Sequence, residues 1–342
     1  MTSASNGKEQ PNIRWAVIGT GTISRSVVPD LQSCVGADVV VVQSRDAEKA
    51  AAFAAEFDIP ASTGEIEAVL ADGSVDAVYV ATPIATHFAI AKRTLLAGKH
   101  VLVEKPIAMN AGQVTELFEL AATEGRFLME AMWMKFNPAF TRLREEIAAG
   151  RIGEPRAVRA AFGMPMPKDG RSKWDPARSG GALLDQGIYP VTLAHAILGE
   201  PSSLSASGTL RPDGLDVDEH FTLEFAGGGR AYGAASMAEF VEPTASVSGT
   251  SGWMVLPPFF WATTSLEIHA DTSERMLSAP ERIVYAREGN GYVPMLRAVT
   301  QGILAGNMEH PVHPASDTIA VFRTLDEIRK QLGPAARARR RR

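Results

Sequence analysis

The sequence predicts an α/β fold: a doubly wound parallel sheet in the first third, joined to an α+β region with a large, mostly antiparallel open sheet. Three observations predict it. Apolar runs of strand length alternate with runs of strong helix formers up to about residue 131. The first apolar run enters a glycine turn, Gly19-Thr20-Gly21. Beyond residue 200, β-rich segments separated by turn residues dominate.

Ile13 to Ile18 (IRWAVI) has the composition of a buried strand, and the helix after the glycine turn runs to about Cys34. Asp38 to Val42 (DVVVV) is a second strand, and Asp46 to Phe57 is rich in helix formers. After the β-rich run Asp76 to Ala81, Thr82 offers an N-cap and Pro83 an N1 residue for the next helix, which Gly98 ends. His100 to Val103 leads as a strand into Glu104-Lys105-Pro106. Asn110 with Gln113 resembles a capping box, Gly125 closes that helix, and Phe127 to Ala131 is the last strand of the series. Such repeats require right-handed crossovers and a sheet covered on both faces. This is the Rossmann arrangement, whose ligand lies at the carboxyl ends of the strands. Residues 19–23, 44–45, 82–83 and 104–105 all follow directly on predicted strands.

The pattern changes near Trp133. Asn137-Pro138 opens a helix that ends before Gly150, Glu154 to Phe162 reads as a strand, and Gly180-Gly181 precedes a helix to about Leu198. Strand-like runs follow at Ser202–Leu210, Glu219–Phe225, Ala231–Met237, Ala245–Thr250, Trp253–Leu256, Ser265–His269 and Arg282–Ala286, then helices at about 291–304 and 316–331. The expected division is a disordered N-terminus (1–12), a cofactor domain (13–132), an α+β substrate and oligomerisation domain (133–333) and a basic tail (334–342). The last helix is placed to pack back on the first domain. A broad sheet with helices on one face needs its other face covered, which predicts a homo-oligomer.

A chain of 342 residues with 45% apolar and 21% charged residues is an ordinary globular protein of about two domains. One cysteine excludes an intrachain disulfide framework. The net charge is −5, and it becomes −10 without the five arginines among the last six residues. The acidic body argues against nucleic acid as a partner. The tail reads as a solvated end or an appended segment, with a polyanion contact as the alternative. No apolar run approaches the ~18 residues of a membrane span, and the polar start has no apolar signal core, so the expected location is the cytoplasm.

Gly19-Thr20-Gly21-Thr22-Ile23-Ser24 is G-x-G-x-x-S. Gly19 permits the tight turn, Gly21 lets backbone approach a pyrophosphate, and Thr22 and Ile23 open the helix whose N–H groups face the anion. The second strand ends in Ser44-Arg45 where an acidic residue would hold the ribose of NAD. Arg45 suits a 2′-phosphate and Ser44 adds a hydrogen bond, so the expected cofactor is NADP, with NAD as the weaker one. Asp46 starts the next helix.

With that loop, Glu104-Lys105-Pro106, Thr82-Pro83 with His87, and Gly180-Gly181-Ala182-Leu183-Leu184-Asp185-Gln186-Gly187-Ile188-Tyr189 make the chain resemble the glucose–fructose oxidoreductase / inositol dehydrogenase / MocA (Gfo/Idh/MocA) family. Phe127 to Trp133 and Thr244 to Thr250 are similar to segments of its dimeric dihydrodiol dehydrogenase / NADP-dependent D-xylose dehydrogenase group. The resemblance covers roughly 12–333. It implies Lys105 and Tyr189 as the acid/base pair, Asp185 as the group that orients substrate or Tyr189, and a dimer or tetramer. It also implies an NADP-dependent oxidoreductase acting on a sugar-like hydroxyl, an aldose C1 or a cyclic vicinal diol. The alternatives are a ketose or anhydroketose reductase and a non-catalytic NADP-binding sensor.

Asp185 and Tyr189 lie four residues apart on one face of the predicted helix, about 6 Å along its axis. A carboxylate and a phenol facing a lysine can move a proton to or from a hydroxyl. A phenol titrates near ~10, and the Lys105 ammonium is expected to lower that. His87 supports the cofactor loop, Trp133 walls the nicotinamide side, and Lys173, where the family often has Arg, is a substrate contact. Trp253, Phe259, Phe260 and Trp261 are expected in core or interface, and His195 as an ordinary helix histidine. No metal is expected: His310 and His313 flank Pro311 without a completing carboxylate–histidine set.

Overall fold

In the first sheet the strands stand in the order β3-β2-β1-β4-β5-β6, every pair parallel. They are β1 (Ile13–Ile18), β2 (Ala37–Gln43), β3 (Ala61–Thr63), β4 (Ala77–Val80), β5 (His100–Glu104) and β6 (Leu128–Ala131). This is the doubly wound order, and the strand order reverses between β1 and β4. The helices between the strands are α1 (Thr22–Gln32), α2 (Ala47–Glu56), α3 (Ile66–Ala71), α4 (His87–Leu96) and α5 (Ala111–Glu124). The computed structural model describes residues 12–168, 172–269 and 279–333. The expected basic tail and all but Asn12 of the expected N-terminal segment lie outside the described residues.

The sheet is buried on both faces, so its central strands read as continuous apolar runs rather than alternating ones. Trp15, Tyr79 and Leu102 are fully buried. The helix ends follow local chemistry. Asp46 accepts the Lys49 N–H at the start of α2, Asn110 accepts the Gln113 N–H at the start of α5, and Gly125 ends α5 at φ +60°. The start of α4 differs from expectation. A 3₁₀ turn, Ile84–Thr86, comes first and α4 begins at His87. The Thr82 hydroxyl does not cap a backbone N–H there; it is bonded to the Thr86 hydroxyl at 2.7 Å.

The second sheet, in the order β14-β13-β12-β11-β7-β10-β9-β8, is antiparallel except for the central pair β7 and β10. Its strands are β7 (Pro155–Gly163), β8 (Ser203–Leu210), β9 (Asp216–Glu224), β10 (Arg230–Ser236), β11 (Ala245–Gly249), β12 (Trp253–Leu256), β13 (Ser265–His269) and β14 (Glu281–Val284). With it come α6 (Pro138–Ala148), α7 (Ile188–Leu198), α8 (Val293–Leu304) and α9 (Ala315–Leu332). Asn137 caps α6 with Pro138 at N1. The last helix does reach back to the first sheet's helices: Asp326 accepts the Ala111 N–H, and Arg329 donates to the Met109 carbonyl. On the outer face of the sheet Arg159 lies over the Tyr232 ring and the Ser207 hydroxyl meets His220.

Candidate active site

Two elements from opposite halves of the chain meet at the carboxyl ends of β4, β5 and β6. The first is the loop after β5. Lys105 precedes Pro106 through a cis peptide bond. His87 holds this loop against the one after β4, its Nδ1 being 2.7 Å from the Pro106 carbonyl and its Nε2 2.7 Å from the Thr82 carbonyl. Burial pushes the His87 pKa down, against the pull of the two carbonyls. The Glu130 carboxylate accepts the Ile107 N–H at 3.0 Å and meets His313 at 3.1 Å.

The second element follows Gly180-Gly181. Gly181 has φ +75°, and a Cβ there would strike the Asp216 carboxylate. That carboxylate accepts the Leu183 N–H at 2.7 Å, so β9 caps the helix start. Leu183–Gly187 is one π turn before α7, not the regular helix the sequence predicts. It brings Asp185 against Lys105 and leaves Tyr189 in the first turn of α7.

There Lys105 Nζ donates to the Asp185 carbonyl at 2.7 Å and to Asp185 Oδ1 at 3.1 Å, and lies 5.0 Å from the centre of the Tyr189 ring. Lys173 Nζ reaches the same Oδ1 at 2.5 Å. Burial disfavours the Asp185 carboxylate, but the two ammonium groups hold its pKa below the usual range. Burial likewise works against the Lys105 ammonium, and Asp185, Tyr189 and Glu104 more than offset it, so its pKa is raised. The Trp133 indole N–H donates to the Tyr189 hydroxyl at 2.9 Å. Burial pushes the Tyr189 pKa up to about 12, with Lys105 and the Trp133 bond pulling the other way. The expected net lowering by Lys105 is therefore corrected: Tyr189 is buried, and desolvation of the phenolate outweighs the ammonium.

Aromatic rings line this corner. Phe162 stacks on Trp261 at 3.6 Å, Trp261 lies 5.5 Å from Tyr189, and Trp133 stacks on Tyr292 at 4.4 Å. Beside it, Glu104 is buried and accepts the Tyr79 hydroxyl at 2.5 Å. Burial lifts its pKa to about 7, with Tyr79 and Lys105 opposing.

The glycine turn lies at the same sheet edge. Gly19 has φ +113°, and a Cβ there would strike the Ala81 carbonyl. Gly21 is the extended N-cap of α1, supplies no side-chain hydrogen bond, and has nothing within 4 Å of where a Cβ would stand. The first turn of α1, with Thr22 exposed and Ile23 half-buried, contains no acidic residue. An open, uncapped helix start of this kind fits a dinucleotide pyrophosphate. Ser44 is half-buried and Arg45 exposed at the end of β2. Asp46 is turned to α2.

Comparison with known proteins agrees with this construction. Residues 13–132 match the model of an oxidoreductase family with an NAD-binding Rossmann fold, and residues 140–255 match the GFO/IDH/MocA C-terminal domain. The trans-1,2-dihydrobenzene-1,2-diol dehydrogenase of Homo sapiens is 34% identical over 325 residues, 94% of this chain and 97% of that one. The chain belongs to the GFO/IDH/MocA family. It is an oxidoreductase. KijD10, a 3-ketoreductase from Actinomadura kijaniata in complex with NADP and TDP-benzene, superposes with a TM-score of 0.82 at 27% identity, over 93% of this chain and 97% of that one. The aldose-aldose oxidoreductase of Caulobacter crescentus, at 22% identity and a TM-score of 0.84 over 93% of this chain and 97% of that one, shares the fold.

Of the candidate residues, the structure gathers Lys105, Asp185, Tyr189, Lys173 and Trp133 into one bonded cluster. Thr82, Pro83 and His87 lie behind it, and Gly19 to Ile23, with Ser44 and Arg45, lie along the same sheet edge. Sequence reasoning missed Phe162, Trp261 and Tyr292 as neighbours of this cluster. Trp261 was expected in core or interface, and Phe162 and Tyr292 carried no signal apart from their position in apolar runs. His195, as expected, is an interior helix residue, its Nε2 bonded to the Thr324 hydroxyl at 2.9 Å.

Proposed function

We propose that this oxidoreductase transfers a hydride between NADP and the CH–OH carbon of a sugar-like substrate, an aldose C1 or a cyclic vicinal diol, with Lys105 and Tyr189 handling the proton. The observation that carries the reading is the convergence of Lys105, Asp185 and Tyr189 at the carboxyl edge of a doubly wound sheet. The dihydrodiol dehydrogenase relatives and the NADP complex of the 3-ketoreductase support it. In this reading residues 13–132 form the cofactor domain and 133–333 the substrate and oligomerisation domain.

NADP, when bound, takes or returns the hydride at its nicotinamide ring. Gly19, Gly21, Thr22 and Ile23 would hold the pyrophosphate, Ser44 and Arg45 the 2′-phosphate. Thr82, Pro83, His87, Glu104 and Lys105 would border the nicotinamide end, with Trp133 as its wall. Two of the three Lys105 N–H groups are engaged by Asp185, which leaves the third for a substrate oxygen. Two ammonium groups around one carboxylate leave the cluster with net positive charge, which favours an alkoxide as it forms. Tyr189 accepts from Trp133, so its own proton is free for the substrate oxygen. Because burial pushes the Tyr189 pKa up to about 12 and so favours the protonated phenol, it enters as the acid when the enzyme reduces and must first lose a proton when it oxidises. Oxidation therefore speeds up with rising pH. Phe162 and Trp261 offer an apolar floor to one face of a ring substrate.

The reading includes a cytoplasmic enzyme, a homodimer or homotetramer through the outer face of the second sheet, and no nucleic-acid or membrane partner. Among the described residues no helix is long and apolar enough to cross a membrane. Light scattering that gave a monomer at working concentration would contradict the oligomer. The deciding experiment is the absorbance of reduced nicotinamide with NADP⁺ and then NAD⁺, across pentoses, hexoses, inositols and cyclic diols. Turnover of one sugar or diol with NADP⁺ preferred is the expected result; tight NADP⁺ binding with no turnover of any of them in either direction would favour a sensor. Arg45→Ala should raise KM for NADP about tenfold or more while hardly moving that for NAD; equal effects would remove Arg45 from the cofactor site.

A further inference from the structure

We propose that Asp30, a carboxylate on the far half of α1, is a positioning residue for Tyr189 and acts through Tyr292 and Trp133. The proposal rests on the reading of Tyr189 as the acid/base group. Asp30 is 2% exposed, although it lies on a helix whose other duty is to open toward the cofactor. A buried carboxylate persists only where hydrogen bonds replace its water. Here they all come from one turn before α8: the Asn290 N–H at 2.8 and 3.0 Å to the two oxygens, the Asn290 side-chain amide at 3.1 Å, and the Tyr292 N–H at 2.9 Å. The Asn290 amide also donates to the Ser26 carbonyl at 3.0 Å.

The turn is shaped to lie between two partners. Gly289 has φ +54°, and a Cβ there would strike the Asp30 carboxylate. Gly291 has φ +103°, and its Cβ would come within 3.0 Å of the Trp133 ring. Gly-Asn-Gly-Tyr is thus built to bring the backbone onto Asp30 on one side and Trp133 on the other. The next residue, Tyr292, stacks its ring on Trp133 at 4.4 Å with 23° between the planes. Trp133 in turn donates its only polar hydrogen to the Tyr189 hydroxyl.

The chain of contacts runs from a carboxylate to a backbone turn, to a ring stack, to the N–H that faces the reacting oxygen. That N–H fixes which lone pair of Tyr189 is occupied, and so where its proton points. It also favours the phenolate. Releasing the turn frees the Tyr292 ring, loosens Trp133, and lets the Tyr189 proton wander from the substrate oxygen. A misplacement of this kind, made far from the chemistry, costs roughly 10²-fold in rate.

The test uses the full chain with Asp30→Ala, Asp30→Asn, Tyr292→Leu and Tyr292→Phe. Two readouts are needed. The first is the indole N–H resonance of Trp133, assigned by its loss in Trp133→Phe, with its hydrogen-exchange protection. It requires no substrate, so it reports on the coupling even if the proposed activity fails. The second is kcat and KM with D-xylose or a trans-dihydrodiol as probe, with NADP⁺ affinity measured separately. The expected result is that Asp30→Ala and Tyr292→Leu lose the protection and shift the resonance. Their kcat falls about 10²-fold while NADP⁺ affinity stays within about twofold. Asp30→Asn, which keeps one acceptor oxygen, falls between, and Tyr292→Phe, which keeps the stack, restores most of both signals. An unshifted, protected Trp133 resonance in a folded Asp30→Ala overturns the proposal. If that variant does not fold, Tyr292→Leu with wild-type kcat and protection overturns it equally.

Discussion

The wall of the cleft that carries Lys105 is held by bonds from the first sheet's own loops and strands: His87 to the Thr82 and Pro106 carbonyls, Glu130 to the Ile107 N–H, Tyr79 to Glu104. The wall that carries Asp185 hangs instead on a strand 33 residues further along, through the Asp216 carboxylate. Around it lie polar atoms with no hydrogen-bond partner among the described residues: both oxygens of Glu219, Gln186 Oε1 and Thr192 Oγ1. Each such buried atom costs about 1–3 kcal/mol unless water reaches it. The contrast teaches that one wall is knit mostly by bonds within the first sheet, with Glu130 also meeting His313, and the other is a suspended turn, held in its π form by its supports. Site geometry should fail first on the Asp185 side.

The largest effect comes from the wall that is itself stable. Lys105→Met removes the ammonium and both of its bonds to Asp185, whose carboxylate keeps Lys173. It should lower kcat by about 10²–10³-fold, with a cost of about 1–3 kcal/mol in stability from the orphaned Asp185 carbonyl. An unchanged kcat in a folded variant would remove Lys105 from the chemistry.

Asp216→Ala strikes the suspended wall. It uncaps the turn that presents Asp185, and should cost about 2–3 kcal/mol of stability together with much of kcat, while NADP⁺ binding survives. Unfolding curves and cofactor titration on one preparation separate these outcomes. An unchanged melting temperature would show that the turn stands without its cap.

Glu219→Gln is the gentlest probe and tests the sign. Burial raises the Glu219 pKa well above its usual value, with Asp216 and Asp218 adding to the rise. The folded state then keeps a proton that the unfolded chain releases, so wild-type stability falls as pH climbs above about 4.3. Glutamine has no such loss. The variant should melt higher than wild type at about pH 8, by roughly 1 kcal/mol, with the gap closing toward about pH 5. A gap that does not change with pH would remove Glu219 as its source.

The same contrast decides what the sequence could reveal. The first wall is written in contiguous residues: buried strands that end in Gly19, Thr82 and Lys105 give both the element and the ligand edge. What escaped there was short. β3 has three residues and α3 six, too few for a periodicity to register. On the second wall Gly180 to Tyr189 was legible as a helix start near the chemistry, but not as a π turn, because Asp216 and Glu219 arrive from β9. Trp261, Phe162 and Tyr292 look like core residues until the chain brings them beside Tyr189. The Tyr189 pKa departs from expectation because an ammonium nearby can be read from a motif, whereas the depth of burial cannot.

The central claim is that Tyr189, aided by Lys105, moves the substrate proton. Its most direct test is the pH dependence of NADP⁺ reduction with D-xylose and with a trans-dihydrodiol, for wild type and Tyr189→Phe. The account predicts wild-type oxidation that rises through the alkaline range, and a variant that binds NADP⁺ normally but turns over about 10²–10⁴-fold more slowly with that rise abolished. A Tyr189→Phe enzyme that keeps both the rate and the pH dependence of the wild type would contradict it.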